Sequence, residues 1–146
     1  MPIGKLPAWV LEDLAKSGLT RRDAGILKIR HIPAVEMKII HPKLEVDGYE
    51  LPYFDIDGNV IDFSRIKLRA PTRLTRDGKP AKYFQRPGSG SKLYLPPYCN
   101  WRTIASDAGI AIIITEGEKK AAAGCKAGLP TIAIAGVWNW LERQDD

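Results

Sequence analysis

Residues 110–136 read IAIIITEGEKKAAAGCKAGLPTIAIAG, in which an alanine-rich, lysine-bearing segment joins two apolar runs. The first run, 110–115, is continuous and rich in isoleucine, which is typical of a strand buried on both faces. The middle segment predicts a helix that ends at Gly128, and the second run predicts another buried strand. Two such strands joined by a helix predict a parallel βαβ unit with a right-handed crossover.

The carboxyl end of the first predicted strand carries a candidate site. Glu116 stands there, where open α/β sheets place their ligands, and Gly117 lets the backbone turn closely. A carboxylate at this position, beside the amide donors of a helix N-terminus, could hold Mg²⁺ or act as a general acid or base near a phosphate. Lys119 and Lys120 oppose the helix dipole, which favours an anionic partner. The alternative is that Glu116 merely complements the dipole and that both lysines are solvated.

A two-stranded parallel sheet is not stable alone. We therefore expect the upstream sheet, another copy of the chain or a further segment to complete it. Upstream, residues 44–70 alternate apolar and polar side chains on either side of Asp57-Gly58-Asn59, which predicts an antiparallel hairpin. Short strands are predicted at 83–84 and 93–95, with a turn at Asp77-Gly78 between the hairpin and the first of them. Between these short strands, residues 88–91 read GSGS and form a flexible loop that could approach a phosphate closely.

The N-terminal part has helical periodicity over residues 6–30. We expect Gly18 to end a first helix and Thr20, with Asp23 three residues later, to open a second through a capping box. Pro33 is expected to close the region. The predicted fold class is α+β, with a helical segment (1–43), a small, mostly antiparallel basic sheet (44–107) and an incomplete βαβ unit (108–146).

Charge is spread unevenly along the chain. The net charge is +5, but residues 65–92 hold nine lysines and arginines against one aspartate, a net +8, so the rest carries −3. Such a block predicts a surface that faces a polyanion, the alternative being a solvated loop. No apolar run approaches the roughly 18 residues of a membrane span, and the N-terminus MPIGKLPAW lacks the apolar region of a signal peptide. We expect a cytoplasmic protein, with Cys99 and Cys125 reduced and unpaired.

The βαβ segment resembles the opening of a TOPRIM domain, the catalytic fold shared by bacterial-type primases, topoisomerases and some nucleases. In that family a hydrophobic strand ends in Glu-Gly, a helix follows, and a second strand leads to a glycine, here Gly136. The upstream sheet is similar in order and spacing to the basic lobe that precedes TOPRIM in bacterial replicative primases. The matching positions are Gly58, Arg65 or Lys67, Lys82-Tyr83 and Leu93-Tyr94. TOPRIM proteins of plasmids, phages and integrated elements also share the Gly-Val-Trp of residues 136–138.

This resemblance, which covers about residues 48–140, implies a primase-like DNA replication protein of a mobile element that binds single-stranded DNA. It implies that Glu116 is a catalytic metal ligand and that Mg²⁺ or Mn²⁺ acts in a completed domain. Tyr83 or Tyr94 could stack on a base. The partners it implies are a replicative helicase and the remainder of the TOPRIM domain. The residues expected to bind template or nucleotide phosphates are Arg65, Lys67, Lys82, Lys92, Lys119 and Lys120.

Three departures limit the likeness. The Asp-x-Asp metal motif expected on a later strand is not found, a primase lysine-glycine pair appears as Ser89-Gly90, and the preceding zinc module is missing. We therefore expect an N-terminal lobe plus the first half of TOPRIM, which by itself does not synthesise primers. One alternative is a non-catalytic nucleic-acid-binding or interaction module with a vestigial Glu116. Another is a piece of a TOPRIM nuclease or topoisomerase-like protein.

Overall fold

The N-terminal helices form as the sequence predicts. A computed structural model describes residues 4–74 and 78–135, and in it α1 (Ala8–Ala15) and α2 (Arg21–Ile26) make a helical hairpin. Thr20 caps α2 in the predicted capping box: its Oγ1 accepts from the Asp23 amide, and its own amide donates to Asp23 Oδ2 at 2.7 Å. The capping box therefore fixes the start of α2.

A strand and a helix that the sequence does not predict follow this hairpin. They are β1 (Arg30–Ile32) and α3 (Ala34–Ile40). The expectation that Pro33 closes the helical region is wrong, because Pro33 is the N-cap residue of α3. Proline is tolerated at a helix start, where a backbone N–H would have no partner within the helix. A three-residue strand is too short to leave a periodic signal.

The predicted hairpin is confirmed and forms the centre of a four-stranded antiparallel sheet. The two strands of the hairpin are β2 (Gly48–Phe54) and β3 (Val60–Leu68). At the turn, Asp55 Oδ1 accepts from two backbone amides at 2.9 Å, and Gly58 has a φ of 82°. The segment β4 (Arg73–Leu74) pairs with β5 (Pro80–Ala81), and β6 (Tyr83–Phe84) joins the main sheet, whose order is β1-β2-β3-β6. Asp77 of the predicted Asp77-Gly78 turn lies outside the described residues.

The parallel βαβ unit is also confirmed. After α4 (Trp101–Ser106) come β7 (Ile113–Thr115), α5 (Glu118–Lys126) and β8 (Thr131–Ala133), and β7 pairs with β8 in parallel. The strand predicted at 93–95 is reduced to an antiparallel bridge between Tyr94 and Ala133, whose amides and carbonyls bond at 2.9 and 3.1 Å. The upstream segment thus adds to the β8 side of this small sheet. Gly136, predicted to end the second strand, lies outside the described residues.

The prediction that the first of these strands is buried is wrong. Ile113 and Ile114 are 47% and 61% exposed, and the preceding Ile112 is 45% exposed. In the described part of the chain β7 is hydrogen-bonded to β8 on one side and lies at the edge of its sheet. An edge strand with no layer packed over it leaves its side chains in solvent, so a continuous apolar run does not by itself ensure burial.

The βαβ unit packs on the helical segment and the antiparallel sheet through shared core clusters. One cluster joins Val10 and Leu14 of α1 with Tyr49 and Leu51 of β2 and Ala122 of α5. The small side chains of α5 let the helix approach its neighbours closely. At Gly124, an added Cβ would lie 2.2 Å from Thr131 Oγ1.

Among the described helices, none combines the length and apolar character that crossing a membrane requires.

Candidate nucleic-acid interface

One face of the antiparallel sheet gathers predicted binding residues from two strands, β3 and β6. Arg65 and Lys67 are two residues apart on β3, so their side chains lie on the same face of the sheet. Lys67 lies opposite Tyr83 of β6 in the strand register. The guanidinium carbon of Arg65 lies 4.6 Å from the centroid of the Tyr83 ring, and Lys67 Nζ lies 4.8 Å from it. Both distances are typical of cation–π contacts. Burial raises the pKa of Tyr83 to about 12, so its hydroxyl stays protonated at neutral pH.

The acidic partner of Arg65 comes from the first turn of α5. Arg65 Nη1 and the Tyr53 hydroxyl each donate a 2.8 Å hydrogen bond to Glu118 Oε1, and Glu118 is only 2% exposed. Burial, together with the negative charge of Glu118, raises the pKa of Tyr53. Within the described residues, Arg65 Nε and the Tyr94 hydroxyl are buried without a hydrogen-bond partner. Arg65 is therefore held in a buried ion pair, and its role is in part structural.

Sequence reasoning placed Glu118 on the helix but gave it no role. A signal was available: Glu118 shares its helix face with Ala121, Ala122 and Cys125, all of which are buried. A carboxylate at the head of a buried small-residue face requires a cation or hydrogen-bond donors, because an isolated charge is costly to bury. The pattern could have predicted a buried acid, but it could not have identified Arg65 as its partner.

A second acid ties the next residue of α5 to the N-terminal helix. Asp13 Oδ2 accepts from Lys119 Nζ and from the Tyr49 hydroxyl, both at 2.7 Å. Burial raises the pKa of Asp13, but the hydrogen bonds from Lys119 and Tyr49 lower it more, so the net shift is downward. Lys119 is thereby held beside the sheet face that carries Lys67.

Lys67 has an excess of positive charge around it. Burial lowers its pKa, and the charges of Lys119, Lys82 and Lys16 lower it further, against the opposing effect of Asp13. Among the described residues, no carboxylate lies within 4 Å of Lys67 Nζ. Lys82 is exposed on the segment that leads into β6. We call Lys67, Lys82, Tyr83 and Lys119 the Tyr83 surface.

The strand-tip residues lie outside this cluster. Glu116 is 59% exposed, and its carboxylate is 3.7 Å from Lys120 Nζ, which is also exposed. Gly117 is not required by its conformation, contrary to the prediction: its φ of −129° is open to any residue, and an added Cβ would meet no atom nearer than 3.9 Å. Lys92 is exposed, two residues before the buried Tyr94. The suggestion that Tyr94 stacks on a base is wrong, because its side chain is completely buried.

The described residues do not by themselves fit a magnesium site. Mg²⁺ takes octahedral oxygen coordination and usually uses one or two carboxylates with waters and substrate phosphates. Glu118 is committed to Arg65 and Tyr53, so Glu116 is the one carboxylate left at the strand tip. Within residues 4–74 and 78–135, no group of three or more histidine, cysteine, aspartate or glutamate side chains is placed to share a metal ion.

Residues 100–146 match a family described as a domain of unknown function (DUF3854). The match begins at the N-cap of α4, includes the whole βαβ unit and extends past the described residues. No curated protein and no solved structure matches the chain.

Proposed function

We propose that the chain is a primase-like TOPRIM replication protein, or part of one, and that it binds single-stranded DNA on the Tyr83 surface. The observation that carries the proposal is the charge imbalance at Lys67. A half-buried ammonium group that has three lysines around it, and Asp13 as its one opposing charge without an ion pair to it, attracts an anion from solution. Phosphates spaced along a flexible single strand can contact several such lysines at once.

The Tyr83 ring on the Tyr83 surface favours single-stranded over double-stranded DNA as the ligand. Proteins that bind single strands combine a basic groove with aromatic side chains on which bases stack. Tyr83 is half-buried and braced by Arg65 and Lys67, so a base would contact the part of the ring that remains open. The ring is held in place before DNA arrives, which reduces the entropy lost on binding.

The Arg65–Glu118 pair supports the primase-like part of the proposal. It joins the basic sheet to the first turn of α5, the helix that begins just after Glu116. A strand bound to the Tyr83 surface would therefore lie beside the βαβ unit. In the completed protein, Glu116 and acids from further TOPRIM strands would hold Mg²⁺ or Mn²⁺, which supplies nucleotidyl-transfer chemistry. The proposed setting is cytoplasmic, with a replicative helicase or the remaining TOPRIM strands as protein partners.

A second candidate is a non-catalytic nucleic-acid-binding module. The Glu116–Lys120 pair favours it, because a carboxylate that serves a surface ion pair at i,i+4 spacing has a role without a metal. The two candidates share the DNA-binding surface and differ in whether Glu116 matters to any activity of the completed protein. Loss of primer synthesis in a completed protein carrying Glu116→Gln would favour the enzyme, and retained synthesis would reject Glu116 as its metal ligand.

Fluorescence anisotropy with a labelled single-stranded oligonucleotide tests the shared binding proposal. The double variant Lys67→Ala/Lys82→Ala should weaken binding at least about tenfold at moderate salt, because two phosphate contacts are lost. The charge-matched control is Lys5→Ala/Lys43→Ala, whose lysines are exposed and lie outside the Tyr83 surface. Equal affinity for the two double variants would reject the Tyr83 surface as the binding site.

A further inference from the structure

A groove of about 310 Å³ lies on the other face of the four-stranded sheet. Its floor includes Glu50, Ile66 and Phe84, which stand side by side across β2, β3 and β6. Because successive side chains of a strand point to opposite faces, this row lies behind Lys67 and Tyr83 rather than beside them. The groove is thus separate from the Tyr83 surface.

One wall of the groove is the glycine–serine loop that the sequence singles out. Arg86 and Ser89 line the groove, and Ser89 Oγ donates to the Arg86 carbonyl at 2.6 Å. Gln85 Nε2 donates to Ser89 Oγ at 3.0 Å and also to the Gly90 carbonyl. Gly88 and Gly90 have φ values of 75° and 73°, which favour glycine. These bonds lie within the loop and fix its own conformation.

The opposite wall contains a lysine in an unfavourable backbone conformation. Lys28 has a φ of 54°, and among the described residues it is the one non-glycine with a positive φ. It occupies the position after the C-cap of α2, where Ile29 N bonds to the Ala24 carbonyl at 2.9 Å. Glycine is the usual residue there, because a side chain is strained in the left-handed region. The left-handed residue closes the end of α2, and the exposed Lys28 side chain lines the groove.

We infer that this groove binds a nucleotide, with its phosphates on Lys28 and Arg86 and its ribose hydroxyls on the Asp62 carboxylate. Within the described residues, neither Lys28 nor Arg86 has a carboxylate within ion-pair distance, whereas Arg30 already pairs with two glutamates. Asp62 is an exposed groove residue, and a carboxylate is a suitable acceptor for ribose hydroxyls. The volume is at the small end of the range for ligand sites, which suits a mononucleotide.

Isothermal titration calorimetry of the full 146-residue chain with ATP tests this inference. The variant Lys28→Gly/Arg86→Gln should weaken ATP binding at least about tenfold, because two charge-assisted phosphate contacts are lost. Its Tm should stay the same or rise by about 2–4 °C, since glycine relieves the strain at position 28. Lys43→Gln, which removes an exposed lysine outside the groove, should bind like the unaltered chain. Absence of ATP binding in the unaltered chain, or equal binding in the double variant, would overturn the inference.

Two further measurements identify the ligand class and separate the two sites. Asp62→Asn should weaken ATP binding and leave tripolyphosphate binding unchanged, and tripolyphosphate binding as tightly as ATP would reject a nucleotide as the ligand. Lys67→Ala/Lys82→Ala should bind ATP normally while losing DNA affinity. Loss of ATP binding in that variant would place the nucleotide on the Tyr83 surface and overturn the groove assignment.

Discussion

The Arg65 guanidinium donates a 2.8 Å hydrogen bond to Glu118 across 53 residues of sequence. The Arg65 side chain is 17% exposed and Glu118 is almost fully buried, so this contact is a largely buried ion pair between the basic sheet and the βαβ unit. Removing one member of such a pair leaves the other charge buried and uncompensated. The pair therefore adds to the apolar contacts that pack α5 on the sheet.

Glu118→Gln should destabilise the chain by about 3–5 kcal/mol, the usual effect of breaking a buried ion pair. Glu116→Gln is the matched control, two residues away, and should change stability by less than about 1 kcal/mol because its ion pair is at the surface. Urea unfolding followed by circular dichroism measures both. Equal stability of the two variants would show that the Arg65–Glu118 contact does not join the segments.

Gly124→Ala should destabilise the chain by about 1–3 kcal/mol, because the new methyl group overpacks the contact with Thr131. Gly117→Ala is the control: its backbone is extended and no atom lies within 3.9 Å of the added carbon, so its Tm should hardly change. Thermal unfolding of both variants checks this. A Gly124→Ala protein as stable as the unaltered chain would mean that α5 and β8 are not packed this closely.

Stability should fall as pH drops through the acidic range. Burial raises the pKa of Asp23, but hydrogen bonds from Lys126, Thr20 and Tyr98 lower it more, so that it lies far below its usual 3.8. A carboxylate with a depressed folded pKa stabilises the fold above about pH 4 and loses that contribution as pH falls toward the folded pKa. The Asp23→Asn variant should therefore be less stable than the unaltered chain at pH 7 by about 2 kcal/mol. Below pH 4 its free energy of unfolding should fall less steeply with pH than that of the unaltered chain.

The check is urea unfolding at a series of pH values from 7 to 2.5. Asp62→Asn, which removes one carboxylate at an exposed position, is the control for the loss of an acidic group. An Asp23→Asn profile as steep as that of the unaltered chain would show that other carboxylates dominate the acid response.

Binding to single-stranded DNA should depend strongly on salt. If about five phosphates are contacted, log K should fall with log salt at a slope near −3.5, and losing two lysines should reduce the slope by about 1.4. Lys67→Ala/Lys82→Ala is the informative variant, and anisotropy between 50 and 300 mM salt measures it. A flat salt response in the unaltered chain would contradict electrostatic binding.

Cys99 and Cys125 should both titrate as free thiols after unfolding without reductant, since both are free in the structure. In the folded chain, Cys125 should react more slowly with iodoacetamide at pH 8. It is buried, and burial raises its pKa to about 12. Mass spectrometry of the alkylated peptides gives the order of reaction. Faster reaction at Cys125 would mean that α5 is not packed as described.

Local patterns predicted most of the elements correctly. Three features could be predicted because each depends only on backbone geometry and hydrogen bonding between neighbouring residues. They are the Thr20–Asp23 capping box, the Asp57-Gly58-Asn59 turn and the alternation of apolar and polar residues in β2 and β3. The βαβ order follows in the same way from two apolar runs and a helix. By contrast, β1 and α3 were missed because a three-residue strand and a helix opened by proline leave little periodic signal.

The sequence by itself determined most of the strands and helices and that residues 65–92 are strongly basic. Only the tertiary structure decided which charges remain available. Among the described residues it paired Arg65 with Glu118 and Lys119 with Asp13, and it left Lys67 beside Tyr83 without an ion pair. It also exposed the isoleucines of β7. The periodicity of apolar residues predicts whether a segment is a helix or a strand. Its ion pairs and its burial depend on which other segments pack against it. The free energy of a charge depends on those neighbours, so the site could not be read from the sequence.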